Sequence, residues 1–76
     1  LKIYPNPVHD NVTLELDNVN GKVGIDIYNT IGQKIFSRED EMYGSLGLDL
    51  SGLKEGTYMM KINYKGNSIT EKIVKQ

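Results

Sequence analysis

The chain has 76 residues, which is enough for one small domain. A domain of this size buries only about 60–65% of the surface of its unfolded chain, so its net stability is expected to be on the order of 3–5 kcal/mol. Because the sequence contains no cysteine, neither a disulfide nor a thiolate metal site can stabilise it. Nine basic and ten acidic side chains give a net charge of -1, which argues against an electrostatic nucleic-acid binder.

The chain begins at Leu1 without an initiator Met and without a basic or apolar leader. No run approaches the ~18 apolar residues of a membrane span, so we expect no membrane insertion. Leu1 is interpreted as an excision point. Residues 1–76 are therefore expected to form a single domain excised from a longer polypeptide.

Apolar and polar residues alternate along most of the sequence, as expected for strands with one wet face, and no helical stripe is present. Turn-forming residues separate the alternating runs. The pattern predicts about seven short strands, near residues 2–4, 11–17, 22–28, 33–39, 46–50, 56–64 and 68–75. Regular short strands of this kind favour an all-β, antiparallel β-sandwich. The predicted core is Val12, Leu14, Leu16, Val23, Ile25, Ile27, Ile35, Leu48, Leu50, Leu53, Tyr58, Met60 and Ile62.

The turns between these strands are predicted from their residue types. Asn20-Gly21 favours a type I′ hairpin, because both central residues take positive φ. Residues 29–32 suit a type I turn closed by a left-handed glycine in a bulge. Pro5 and Pro7 are expected to keep the first segment extended and to place it at a sheet edge.

Few residues have the chemistry of a catalytic or metal site. His9 is the only histidine; beside Asp10 it is a candidate acid–base pair or half of a metal site, but a single His without partners is more often a solvated loop residue. Residues 17–21 carry oxygen ligands near a glycine, yet they lack the spacing and the distal Glu of a calcium loop. We therefore expect no catalytic residue, cofactor or metal.

Two further features have a structural and a functional interpretation. The charge run at residues 38–41 is expected to be a solvated loop, or a guard against edge pairing. Tyr28 is predicted to point outward and could stack a sugar, although a cross-strand aromatic on a wet sheet face is more common. A carbohydrate-binding or adhesion module of a secreted enzyme is therefore the alternative function.

Several short motifs follow one another in a distinctive order. They are Tyr4-Pro5-Asn6-Pro7, Gly32 after the central turn, the Leu53, Gly56 and Tyr58 pattern, and the terminal Lys72-Ile73-Val74-Lys75. Together they closely resemble the type A C-terminal sorting domain of the type IX secretion system, over essentially the whole chain. The one departure is Met59-Met60, where the family tends to have aromatic or β-branched residues; Met packs adaptably, so the fold is not threatened.

This resemblance implies an Ig-like β-sandwich at the extreme C-terminus of secreted cargo, acting without catalysis. In the family the domain directs a periplasmic protein across the outer membrane of a Gram-negative bacterium. A cell-surface sortase then usually removes it. The implied partners are translocon components, the sortase and an N-terminal passenger in the same chain.

The terminal strand is the segment that we expect the machinery to contact. An edge strand offers backbone groups to a partner by β-augmentation, and Lys72 and Lys75 would add charged contacts that set its orientation. Edge protection is the competing interpretation of these lysines, and the isolated domain could also form an edge-strand dimer. Ile69 and Ile73 share one face of this strand and Val74 lies on the other, so its buried face is not assigned.

Overall fold

The computed structural model describes all residues 1–76. It contains five strands and no helix: β1 (Lys2–Tyr4), β2 (Asn11–Tyr28), β3 (Lys34–Asp49), β4 (Gly56–Tyr64) and β5 (Asn67–Lys75). All paired strands are antiparallel, which confirms the predicted all-β class. The predicted number of strands is wrong, because the second and third predicted strands form β2 and the fourth and fifth form β3. No helix long and apolar enough to span a membrane is present.

A long, bent hairpin of β2 and β3 organises the domain. β3 pairs with one side of β2 along nearly its whole length. On the other side of β2, β1 pairs with the first half and β4 with the second half, and β5 pairs with β4. The sheet therefore curls into two layers, and a single cluster of fourteen buried apolar residues fills the space between them.

The bend in β2 lies where a hairpin turn was predicted. Between the pairs Glu15–Ser45 and Asn20–Tyr43 the register shifts, because β2 advances further than β3. Asn18 lies within this bulge and has a positive φ of 63°. Gly21, which pairs with Met42 just after the bulge, has a positive φ of 125°. The predicted type I′ hairpin at Asn20-Gly21 is wrong: pairing with β3 on both sides of the bend, together with burial of Val19, outweighs the local turn preference.

Most of the predicted core is confirmed. Ten of the predicted residues are buried, and Leu16 and Leu53 pack at its margin. Ile35 is 40% exposed, so its predicted burial is wrong. The reason is a second bulge: Ile27 pairs with Phe36 and the next residue, Tyr28, pairs with Lys34, which leaves Ile35 as the extra residue. The buried residues that were not predicted are Val8, Val19, Met42 and Ile73.

The turn between β2 and β3 has the predicted form. The Gly32 N–H donates to the Asn29 carbonyl oxygen at 3.1 Å, and the Asn29 N–H donates to the Gln33 carbonyl oxygen at 3.0 Å. Gly32 has a φ of 85°, a left-handed conformation that glycine adopts without steric cost. The Asn29 side chain also accepts hydrogen bonds from the backbone N–H groups of Ile31 and Gln33. The position of Gly32 is therefore explained by backbone geometry.

The charged residues 38–41 belong to β3 and not to a loop. Because β3 pairs only with β2, its other side is an open sheet edge. Charged side chains on such an edge discourage pairing with another chain. This placement supports the guarding interpretation of the charge run, and the predicted solvated loop is wrong.

Candidate functional site

The two ends of the chain meet where Val8 pairs with the end of β5. The Val8 N–H donates to the Val74 carbonyl oxygen at 2.9 Å, and the Gln76 N–H donates to the Val8 carbonyl oxygen at 3.0 Å. These bonds form a parallel bridge beside Lys75. The end of β5 is therefore paired on both sides, by β4 and by Val8, and its backbone there is not free for a partner.

Lys75 lies inside the domain and not on its surface. It is only 5% exposed, and its Nζ lies 2.9 Å from the Asp10 Oδ1 and 3.2 Å from the Leu53 carbonyl oxygen. The expectation that Lys75 offers an exposed charged contact is therefore wrong. The physical reason is strand alternation: Ile73 and Lys75 share the inner face of β5, where Lys75 pairs with Gly56, a residue without a side chain.

Leu53, Gly56 and Tyr58 build the turn before β4. The Leu53 N–H donates to the Leu50 carbonyl oxygen at 3.0 Å, and the buried Tyr58 hydroxyl donates to the Lys54 carbonyl oxygen at 2.7 Å. Gly56, with a φ of 154°, lies in a region that other residues rarely adopt. These three residues therefore hold the turn and present the Leu53 carbonyl oxygen to Lys75.

The Tyr4-Pro5-Asn6-Pro7 motif is exposed and bends, although an extended conformation was predicted for it. Both X-Pro peptide bonds are cis. The bend takes the chain from β1, in one layer, to Val8, which pairs with β5 in the other. The Tyr4 hydroxyl donates to the Glu15 carboxylate, and this bond raises the pKa of Tyr4 above its ordinary value.

A groove lies between β1 and β5, beside the segment that connects β1 to Val8. Its volume is about 400 Å³. It is lined by Leu1, Lys2, Ile3, Tyr4, Asn6, Val8, Glu71, Lys72 and Ile73. We call it the β1–β5 groove. It brings together motif residues from the two ends of the sequence, namely Tyr4 and Asn6 from one end and Lys72 and Ile73 from the other.

One wall of the groove carries an unpaired strand edge. Val74 and Gln76 direct backbone groups away from β4, toward Val8. Successive residues of a strand direct their N–H and C=O groups to alternate sides, and the register of β5 against β4 is unbroken. Ser68, Thr70 and Lys72 therefore point their backbone groups at the same open side, where no other strand lies. The exposed Lys72 stands at the end of this edge.

The remaining candidate residues lie away from the groove. Gly32 does not line it, and the turn that contains Gly32 lies beside Leu53 and Tyr58, as their shared surface depression with Asn29 indicates. His9 is exposed. Tyr28 is half-buried at the end of β2. No three His, Cys, Asp or Glu side chains lie close enough together to hold a metal ion.

The bend at residues 17–21 has a structural explanation. The Tyr64 hydroxyl donates to the Asn20 carbonyl oxygen at 3.2 Å and also accepts from the Asn20 N–H at 3.2 Å. The hydrogen bond from the Asn20 backbone lowers the pKa of Tyr64. Asn20 is therefore held by a side chain from β4, which fixes the bulge of β2 against the neighbouring strand.

The chain is thus a small, curled, all-β domain whose first and last motifs collect around one seam, where Val8 meets the end of β5. It belongs to the secretion system C-terminal sorting domain family, whose model matches residues 2–76. This match confirms the family predicted from the motifs, the C-terminal sorting domain of type IX secretion. The family is one of sorting signals and not of enzymes. A signal of this kind implies that the protein carrying it is secreted to the cell surface or out of the cell. No curated protein matches the chain at a significant level.

Two residues of the seam were missed by the sequence reasoning. Val8 is an isolated apolar residue between Pro7 and His9, and its burial could have been suspected only from that contrast. Asp10 was considered only as a neighbour of His9, and the sequence gives no sign of its contact with Lys75, which is 65 residues away.

Proposed function

We propose that the folded domain is the sorting signal, and that it is recognised by protein–protein contact at the β1–β5 groove and the adjoining edge of β5. The observation that carries this proposal is the convergence of the two terminal motifs on one groove. Tyr4 and Asn6 line it together with Lys72 and Ile73. Motif residues that are distant in sequence but adjacent in space are what a partner of the folded domain can contact together.

The chemistry of the groove suits one extended segment. A strand added along β5 would find the backbone groups of Ser68, Thr70 and Lys72 unpaired. Its inward side chains would meet Ile3 and Ile73, which line the groove. In such β-augmentation the backbone bonds supply affinity and the side-chain contacts supply specificity. Glu71 and Lys72, which carry opposite charges at the rim, would set the orientation of the added strand.

The proposed route is the one that the resemblance to the family implies. The domain would direct a passenger, N-terminal to it in the same chain, from the periplasm across the outer membrane of a Gram-negative bacterium. Translocon components would bind the domain, and a cell-surface sortase would then remove it. The proposal requires no catalysis by residues 1–76. Family membership supports this route, and the groove supports recognition of the folded domain.

Fusion of residues 1–76 to a periplasm-targeted reporter, in a host that has this secretion system, tests the sorting function. The reporter is expected at the cell surface or in the medium. A matched host that lacks the translocon should retain it in the periplasm. Retention in both hosts would contradict the sorting function.

A pair of matched substitutions tests the role of the groove. Leu1→Glu places a charge at the groove wall, and Ile31→Glu places the same charge at the β2–β3 turn, where the side chain is 77% exposed. Export is expected to fall with Leu1→Glu and to stay unchanged with Ile31→Glu, because only the first change alters the apolar lining. Equal export of the two variants would place recognition elsewhere on the domain.

A further inference from the structure

Three segments that are distant in sequence meet at one ammonium group. Lys75, at the end of β5, contacts the Asp10 carboxylate at 2.9 Å and the Leu53 carbonyl oxygen at 3.2 Å. Leu53 and Lys75 belong to the motifs that identify the family. Asp10 does not, yet it supplies the only negative charge that contacts the buried lysine.

Asp10 is itself held in place. Its carbonyl oxygen accepts a hydrogen bond of 2.6 Å from the Leu50 N–H, and Val8, two residues earlier, is bonded to Val74 and Gln76. These bonds fix the backbone that carries the carboxylate, although the Asp10 side chain is 65% exposed. The Lys75 side chain, in contrast, is 5% exposed. The pair therefore consists of a buried cation whose charge is met by an anion at the surface.

A buried ammonium group requires a counter-charge or full hydrogen bonding, because its hydration has been lost. Without Asp10, Lys75 would keep only the Leu53 carbonyl oxygen and would gain by moving into water. That movement would draw the end of β5 away from Val8 and would change the wall of the β1–β5 groove, where Val8 and Ile73 lie.

We propose that Asp10 is a positioning residue of the sorting signal: through Lys75 it holds the end of β5 against Val8 and so shapes the β1–β5 groove. This inference rests on the proposed function. Lys75 contributes by this internal contact, and its charge is not itself presented to the secretion machinery. Of the two lysines in the terminal motif, the one that a partner can reach is Lys72, which is exposed and lines the groove.

Amide hydrogen exchange of the isolated domain tests the positioning directly. With Asp10→Asn, the Val8 and Gln76 amides are expected to exchange faster by about tenfold or more, which corresponds to about 1.4 kcal/mol of local opening free energy. The amides that join β2 and β4 should keep their rates. Asp17→Asn is the matched control, because Asp17 is exposed and forms no ion pair. Unchanged rates at Val8 and Gln76, or an equal increase over the whole sheet, would overturn the proposal.

Should Asp10→Asn prevent folding, Asp10→Glu provides the same comparison with the charge retained. It is expected to keep Val8 and Gln76 protected to within about threefold of the wild type, since a glutamate can still reach Lys75. Slow exchange at both amides of Asp10→Glu, in a stable sheet, supports the ion pair as the contact that holds the end of β5. Loss of the whole fold with the charge retained would overturn it.

Export of the reporter fusion separates positioning from direct recognition. Asp10→Asn leaves Lys75 in the chain, so a machinery that reads the Lys75 charge would export this variant normally. We expect export of Asp10→Asn to fall as far as that of Lys75→Met, and Asp10→Glu to restore most of it. Normal export of Asp10→Asn beside failed export of Lys75→Met would overturn the proposal. Failure of the wild-type fusion would instead refute the sorting function, and the exchange rates would still decide the role of Asp10.

Discussion

Tyr58 and Lys54 are joined across the turn that precedes β4, where the buried phenolic hydroxyl donates a hydrogen bond of 2.7 Å to the Lys54 carbonyl oxygen. The bond closes a loop that contains Gly56 and fixes the direction in which β4 begins. The neighbouring Leu53 carbonyl oxygen contacts Lys75. The turn therefore connects the core to the seam between the chain ends.

Tyr58→Phe removes this bond and keeps the ring. The free energy of unfolding is expected to fall by about 1 kcal/mol, the usual net value of such a bond, because the Lys54 carbonyl oxygen loses its donor. Urea unfolding measures the change. Tyr43→Phe is the matched control, since Tyr43 is exposed and its hydroxyl contacts only Glu41. Equal decreases in the free energy of unfolding of the two variants would show that the Tyr58 bond stabilises the domain no more than an exposed tyrosine hydroxyl does.

Met60 and Met59 are adjacent but lie on opposite faces of β4. Met60 is fully buried and Met59 is 38% exposed. Met60→Ala is expected to cost about 2–5 kcal/mol, which approaches the whole stability of a domain of this size, about 3–5 kcal/mol. Met59→Ala should cost about 0.5 kcal/mol or less. Circular dichroism at 25 °C should show a largely unfolded Met60→Ala domain beside a folded Met59→Ala domain; two folded domains would argue against the two-layer core.

The stability of the domain is expected to fall in acid partly through Asp49. The hydrogen bond from the Ser51 backbone N–H, at 2.9 Å, lowers the pKa of Asp49 below its ordinary value of 3.8. Since the folded pKa lies below the unfolded one, this contribution is complete above the unfolded pKa and is lost as the pH falls through the folded value. The melting temperature of Asp49→Ala should therefore lie further below that of the wild type at pH 7 than at about pH 2. A gap independent of pH would contradict the assignment.

The open edge of β5 is tested by Thr70→Pro. Proline removes the Thr70 N–H, which points away from β4, so the β4–β5 pairing is expected to survive while strand addition is blocked. Export of the reporter fusion should fall, and any dimer of the isolated domain that forms along this edge should dissociate in sedimentation experiments. Thr70→Ala keeps the N–H and serves as the control. If both variants are folded and exported equally, the edge is not used for recognition.

The inner and outer faces of the strands could be predicted from the sequence, because alternation is a local property. Val23, Ile25 and Ile27 are all buried, as are Met60 and Ile62 in β4. The glycine turn at Gly32 was predictable for the same reason, since its backbone conformation depends on neighbouring residues alone.

The features that escaped prediction depend on pairing between distant residues. Asn20-Gly21 has the composition of a hairpin turn, but β3 pairs with β2 on both sides of it. Ile35 follows the apolar pattern, but a bulge opposite Ile27 and Tyr28 turns it outward. Lys75 looked like a surface cation, and only the distant Asp10 explains its burial. A single sequence contains no record of which distant residues become neighbours.

The bridge between Val8 and the end of β5 affects how any shortened chain must be interpreted. Loss of residues 72–76 removes a segment that a partner could contact, and it also uncovers Val8 and leaves Asp10 without Lys75. Loss of the first ten residues would remove Val8 and Asp10, so Lys75 would lose its carboxylate partner. Truncation from either end therefore damages one shared closure, which consists of the bridge from Val8 to β5 and the ion pair of Asp10 with Lys75. A secretion defect in such a chain would result from the loss of this closure as readily as from the loss of a recognised segment. Point substitutions that leave the closure intact are the changes that isolate recognition.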